Sequence, residues 1–467
     1  MSEKLVDFFL NIFRWTRFRC LQVNPKKISL HLTNYLIERM KKISLTIFLN
    51  LLFLLRVPAQ QPDKIYMPNI HTVKLFVGAD QDAYPIIPLN AAAVMQLHFD
   101  DLSATVKNYN YTFVLCDANW QPADLSPFDF LEGFTQGRLS QYRSSSVAKT
   151  KYIHYQALLP ERSCMPKLSG NYLLKVYLNG DTSKLAFARR VLVLNNILPV
   201  GAKVTQPYNS QMFLTHQKLQ FTVDKTKLNI LNPPQQLKVV VLQNFRWDNA
   251  VTGLQPTFMR ANMYEYSSDN NCVFAGGREY RWVDLRSFRF QTENVDSADL
   301  NASPFNVWLR PDPQRANLRY LTYVDLNGFY QISASDVNNP WWQGDYANVH
   351  FEFVPQNPLE FANKQVYMIG ELATGNCDNA ECVMDYNAEK KVFEKTLLLK
   401  QGYYYYTYVS KILNDKKNTT ETADTEGNYS ETENTYTILV YYRGLSDRAD
   451  ELVGAAIIDS KNMVRGQ

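Results

Sequence analysis

The chain has 467 residues, 46% of them hydrophobic, with 49 Lys or Arg against 45 Asp or Glu and a formal charge of +4. That length exceeds one small core, so two or three domains are expected. Residues 1–59 hold ten Lys or Arg against three Asp or Glu; taking this net +7 from +4 leaves −3 on the rest, which excludes a basic stripe for nucleic acid.

In chain order, the first feature is Met40-Lys41-Lys42, an apolar run from Ile43 to Leu55, and then Val57-Pro58-Ala59. Two lysines, a short apolar stretch and small residues at its exit make up a secretory signal peptide over residues 40–59, with cleavage before Gln60. The run is shorter than the roughly 20 apolar residues a spanning helix needs. No cysteine follows it at a lipoprotein-like distance. Residues 1–39 then read as an upstream extension ahead of a start at Met40, and the product is expected to be soluble and exported.

Beyond the leader the pattern is β almost throughout. Ile70 to Val77, Tyr109 to Cys116 and Tyr152 to Leu159 alternate apolar and polar residues. Tyr172 to Leu178, Asn179-Gly180-Asp181 and Leu185 to Leu194 predict a hairpin, because Asn-Gly supplies the positive φ angles of a tight turn. Leu219 to Val223, Leu237 to Leu242, Val349 to Val354, Val366 to Ile369, Val392 to Leu399, Tyr403 to Val409 and Tyr436 to Tyr442 continue the series. No long segment has helical periodicity. The fold class expected is all-β, with tandem immunoglobulin-like or E-set sandwiches.

Two linkers divide the mature chain. Asn195 to Gly201 and Pro355-Gln356-Asn357-Pro358 carry prolines that cannot donate to a central ladder. The expected pieces are an N-terminal sandwich over 60–196, a middle β domain over 197–354 and a C-terminal sandwich over 355–467. Residues 415–434 are polar, rich in Thr and Glu, and nearly free of aliphatic side chains, so a mobile loop is expected there.

Catalytic chemistry is thinly represented. His71, His98, His154, His216 and His350 are scattered, and none pairs at metal-ligand spacing. No Gly-x-Ser-x-Gly elbow, His-Glu-x-x-His or phosphate-binding glycine loop occurs. Asp325-Leu326-Asn327-Gly328 lacks the spaced acids of a calcium loop and reads as a turn. No catalytic, cofactor-binding or metal residues are therefore expected, and no cofactor. Cys377 and Cys382 flank a turn-like tetrapeptide and are spaced for a small loop disulfide; two reduced thiols fit the spacing equally well. In Tyr403 to Tyr406, strand alternation predicts two rings facing the core and two facing out. Trp341-Trp342, with Tyr346, lie in a turn-rich loop ahead of a strand and are the candidate interaction anchors, core capping being the alternative.

The most distinctive strings are spread from residue 244 to residue 443. They are Asn244-Phe245-Arg246-Trp247-Asp248-Asn249-Ala250, Pro256-Thr257-Phe258, Asn271 to Arg281 with its Gly276-Gly277 pair, Asp284-Leu285-Arg286-Ser287, Thr425-Glu426-Gly427-Asn428-Tyr429, Glu431 to Asn434 and Tyr436 to Arg443. Together they resemble the type IX secretion system plug family of Bacteroidota, from about Lys64 to Ile458. The resemblance implies a periplasmic, non-enzymatic all-β protein. Its implied partner is the giant outer-membrane β-barrel translocon, whose pore it binds and occludes. It brings no catalytic residues to transfer. Gly276-Gly277 reads as a backbone turn requirement, and Arg246, Asp248, Arg278 and Asp284 as structural polar pairs. An alternative comes from residues 366–406, which are similar to starch-binding sandwiches and suggest a carbohydrate-binding protein of the periplasm or cell surface. Such modules stack sugars on tryptophan, and all seven tryptophans lie at or before Trp342.

Overall fold

The computed structural model describes residues 62–270, 272–373, 382–413 and 420–462. The expected leader, the extension before it and Cys377 lie outside them. The described chain is an all-β stack of sandwiches, and its α-helices are four residues long.

The first body pairs a four-stranded sheet (Ile70–Val77, Met95–Asp101, Ile153–Leu159, Gln141–Ser144) with a five-stranded one (Ile86–Pro88, Leu185–Leu194, Gly170–Leu178, Tyr109–Cys116, Gly137–Leu139). Phe99, Tyr155, Tyr109, Phe113, Leu174 and Phe187 fill the space between them. The expected hairpin is present, with Asn179 and Gly180 at φ 57° and 70°. Those two angles reverse the chain and set the register that buries alternate side chains.

The second body sets a sheet of Val200–Thr205, His216–Asp224, Met263–Tyr266, Phe258–Met259 and Val273–Ala275 against a three-stranded sheet. That smaller sheet has the order Leu237–Gln243, Thr435–Tyr442, Glu451–Asp459. Phe221, Val239, Val241, Tyr436, Ile438 and Val440 share its core. The third body is inserted between these strands. Its two sheets are built on Gly402–Ile412 and on the pair Tyr346–Val354 and Val392–Lys400. Val307, Val349, Phe353, Phe361, Met368 and Tyr408 are packed in one core.

Hydrogen bonding thus crosses the boundary expected at Pro355. Leu237 to Gln243 pair with Tyr442 to Tyr436, and Phe353 on one side of that boundary packs on Phe361 on the other. The prolines do end a strand, but the chain then re-enters the same body. A proline-rich turn marks where a strand stops, not where a core stops. Strands 364–412 and 435–459 belong to different bodies, so the segment similar to sugar-binding modules forms no separate sandwich.

The loop expected to be mobile also differs. Residues 415–419 lie outside the described chain, but Thr425, Glu426, Thr432 and Asn434 are buried. Composition predicts solvation for such a run. Here, however, its polar atoms have partners inside the molecule.

The bodies are welded to one another. The outer face of the five-stranded sheet (Leu173, Leu192, Trp120) packs on the outer face of the three-stranded sheet (Val240, Leu242, Leu439, Tyr441). Polar bonds frame this apolar seam. Tyr441 Oη donates to Asn171 at 2.8 Å, and Asp450 takes both Lys238 and the Ala118 N–H.

Candidate functional site

The strings that distinguish the sequence converge where the second and third bodies meet. Glu426 is wholly buried there. Arg281 donates to both of its oxygens, at 2.9 and 3.0 Å, and Arg315 Nε donates at 2.5 Å. Arg281 also reaches Asp312 at 3.0 Å, which accepts from the hydroxyls of Tyr406 and Tyr408. Burial works against the charge on Glu426. Arg281 and Arg315 more than offset it and hold the carboxyl down at about 2.

Gly276 and Gly277 admit the same polar segment. A Cβ on Gly276 would stand 2.0 Å from the Tyr429 carbonyl oxygen, so only glycine allows this approach. Gly277 has φ +65°. Asn434 then donates to the Gly276 carbonyl at 2.9 Å and accepts from Asn244 at 2.8 Å. Arg246 pairs with Asp248 at 2.6 Å and Asp284 with Arg286 at 2.6 Å, as polar pairs were expected here. Arg278 differs, donating instead to the backbone carbonyls of Arg315 and Arg319. Asp325 to Gly328 form a turn, as expected, with Asn327 at φ 51°.

A second buried cluster joins the first and third bodies. Asp100 Oδ2 accepts from Lys400 and from Tyr346 Oη, each at 2.5 Å, and Asp100 Oδ1 contacts His154 Nδ1 at 2.7 Å. His154 in turn contacts His98 at 3.1 Å. Burial alone would raise Asp100, but Lys400 and His154 together outweigh it and keep the carboxyl low. Burial, together with the neighbouring His154, pushes His98 down to about 3, so the ring is neutral. Lys74, also fully buried, pairs with Glu371 across the same seam.

The candidate anchors lie in this seam. Tyr346 is fully buried and holds Asp100 and Thr72, so it anchors one body of the chain to another and presents no surface to a partner. Trp341 is half-buried and stacks on His98 at 4.0 Å. Trp342 is half-buried beside the Arg143 guanidinium, 4.6 Å from its ring. Cys382 is buried and its Sγ donates to the Ala373 carbonyl at 2.9 Å. Its proposed partner lies outside the described residues. Tyr404 and Tyr406 face the core while Tyr403 and Tyr405 face outward, as alternation predicts.

Sequence reading missed Asp100, Lys400, His98 and His154 as a group. The signal was available in part. In Met95–Asp101 and Ile153–Leu159 the apolar residues alternate with Gln96, His98 and Asp100, and with His154 and Gln156. A polar strand face ordinarily meets water. Here it meets the third body. Among the described residues, no three His, Cys, Asp or Glu stand together in a way that would hold a metal ion, and no helix is long and apolar enough to cross a membrane. What the assembled charges do is lock bodies together.

Residues 70–195, which coincide with the first body, match the family described as type 9 secretion system plug protein, first domain. A crystal structure of a hypothetical protein from Parabacteroides merdae ATCC 43184 is similar over most of the chain. Identity is 31% and the TM-score 0.80, over 85% of this chain and 98% of that one. None of the curated proteins matches.

Proposed function

Because this chain belongs to the type IX secretion system plug protein family, we propose that it is a periplasmic plug that binds and occludes the pore of the giant outer-membrane β-barrel translocon. The role is non-catalytic. A wide aqueous pore leaks unless its cover resists bending, and bodies on flexible linkers would bend. The observation that carries the reading, beside membership, is the pair of buried charge clusters around Glu426 and Asp100 that fix three sandwiches to one another.

Affinity capture of the tagged protein from detergent-solubilised outer membranes tests it. A very large barrel protein recovered in stoichiometric amount is the expected result. No such partner, with the barrel shown to be present, overturns the reading. Deleting the protein should leave secretion possible while making the outer membrane permeable to large solutes. Export rests on the leader at 40–59, and N-terminal sequencing of the exported protein should begin at Gln60.

A further inference from the structure

The three bodies meet around a cavity of about 120 Å³, with a second of about 410 Å³ sharing Arg189 and Glu371 with it. Each body contributes to the first cavity: Arg189 and Arg190 from the first, Phe245 and Trp247 from the second, Asn327 and Phe329 from the third. Most charges around it are already matched. Arg190 pairs with Asp63, Lys74 with Glu371 and Arg246 with Asp248. Arg189 is the exception. Among the described residues it donates only to the carbonyls of Ala188 and Val73, at 3.1 and 3.3 Å, and no carboxylate there pairs with it. Three further polar atoms have no hydrogen-bond partner: Arg190 Nε, Trp247 Nε1 and Asn327 Oδ1. Arg190 is only 8% exposed. Buried donors and acceptors of this kind are normally satisfied, and a guanidinium without a counter-ion in an aromatic-walled cavity favours a planar anion.

We infer that this cavity binds a carboxylate carried on an aromatic or apolar body. Arg189 takes the carboxylate oxygens. Phe245, Trp247 and Phe329 cover the body of the ligand, and Asn327 Oδ1 accepts a hydroxyl or amide proton from it. The carboxylate belongs either to a free small acid or to the C-terminus of a peptide, for which the adjoining larger cavity gives room.

Calorimetric titration of the full-length protein with benzoate, N-acetyltyrosine and N-acetyltyrosinamide tests the site, with tryptophan fluorescence as a second readout. The expected result is saturable one-to-one binding of at least one of the two acids below about 10 mM. The neutral amide binds roughly tenfold more weakly or worse, and Arg189→Gln weakens the acid by a similar factor with an unchanged circular dichroism spectrum. Saturation by N-acetyltyrosine alone assigns a peptide end, and by benzoate alone a free acid. The site is overturned if neither acid saturates, if the amide binds as well as the acid, or if folded Arg189→Gln binds like the native protein. In those cases the cavity holds only water. The acid-against-amide comparison needs no variant, so a folding defect leaves the test intact.

Discussion

Glu426 concentrates what a single residue contributes here. Its carboxyl titrates at about 2 in the folded chain against an ordinary value of 4.5, so the stability it confers is present above pH 4.5 and is lost as pH falls through 2. Denaturant midpoints measured against pH should fall across that window, and Glu426→Gln should flatten the fall. Removing one partner from a buried ion cluster costs about 3–5 kcal/mol, so Glu426→Ala should lose about that much at neutral pH. Gly276→Ala places a methyl against the Tyr429 carbonyl and should cost about 1–3 kcal/mol, read from the same denaturation curves. Sequence could mark Gly276-Gly277 as a turn. It could not show that Glu426 is buried, because Arg281 stands 145 residues earlier and nothing local announces the pairing.

Strands were the most legible elements. Ile70–Val77, Tyr109–Cys116 and Leu185–Leu194 match their expected limits, since each alternates or runs apolar between turn residues. Met95–Asp101 escaped notice because its polar face carries His98 and Asp100, which look like solvent-facing side chains until Lys400 is seen opposite. Glu451–Asp459 escaped for another reason: Gly454, Ala455 and Ala456 give little β signal, and Gly454 is required because a Cβ there would meet the Leu198 carbonyl at 2.6 Å. Domain limits were least legible, because strand pairing across an insertion leaves no mark in local composition. A fragment of residues 355–467 should accordingly fail to fold alone, lacking Leu237–Gln243 for one half and Tyr346–Val354 for the other. Circular dichroism and amide dispersion in NMR spectra would check this. A folded fragment would restore the division at Pro355.

At the scale of the whole molecule, the joints matter more than the bodies. The apolar seam around Leu192 and Leu439 couples the first two bodies, and the Asp100–Lys400 cluster couples the first and third. Scanning calorimetry should therefore show the three bodies unfolding together. Lys400→Ala leaves Asp100 buried without its cation and should destabilise the joint by about 3–5 kcal/mol, separating a second transition for the third body. Replacing both residues, Asp100→Asn with Lys400→Met, should recover much of the loss, since two neutral groups carry no unpaired charge. A double replacement as damaging as the single one would place the strength of the joint in packing and not in charge.

The return of Thr435–Tyr442 to the centre of the three-stranded sheet has a consequence for how the protein is born. A chain delivered N-terminus first can close its first body early and its inserted body later. The second body must wait, with the edge of Leu237–Gln243 that pairs with Tyr442 to Tyr436 left open, until nearly the last strand arrives. A copy lacking its tail therefore presents an unpaired strand edge, while a finished copy covers it.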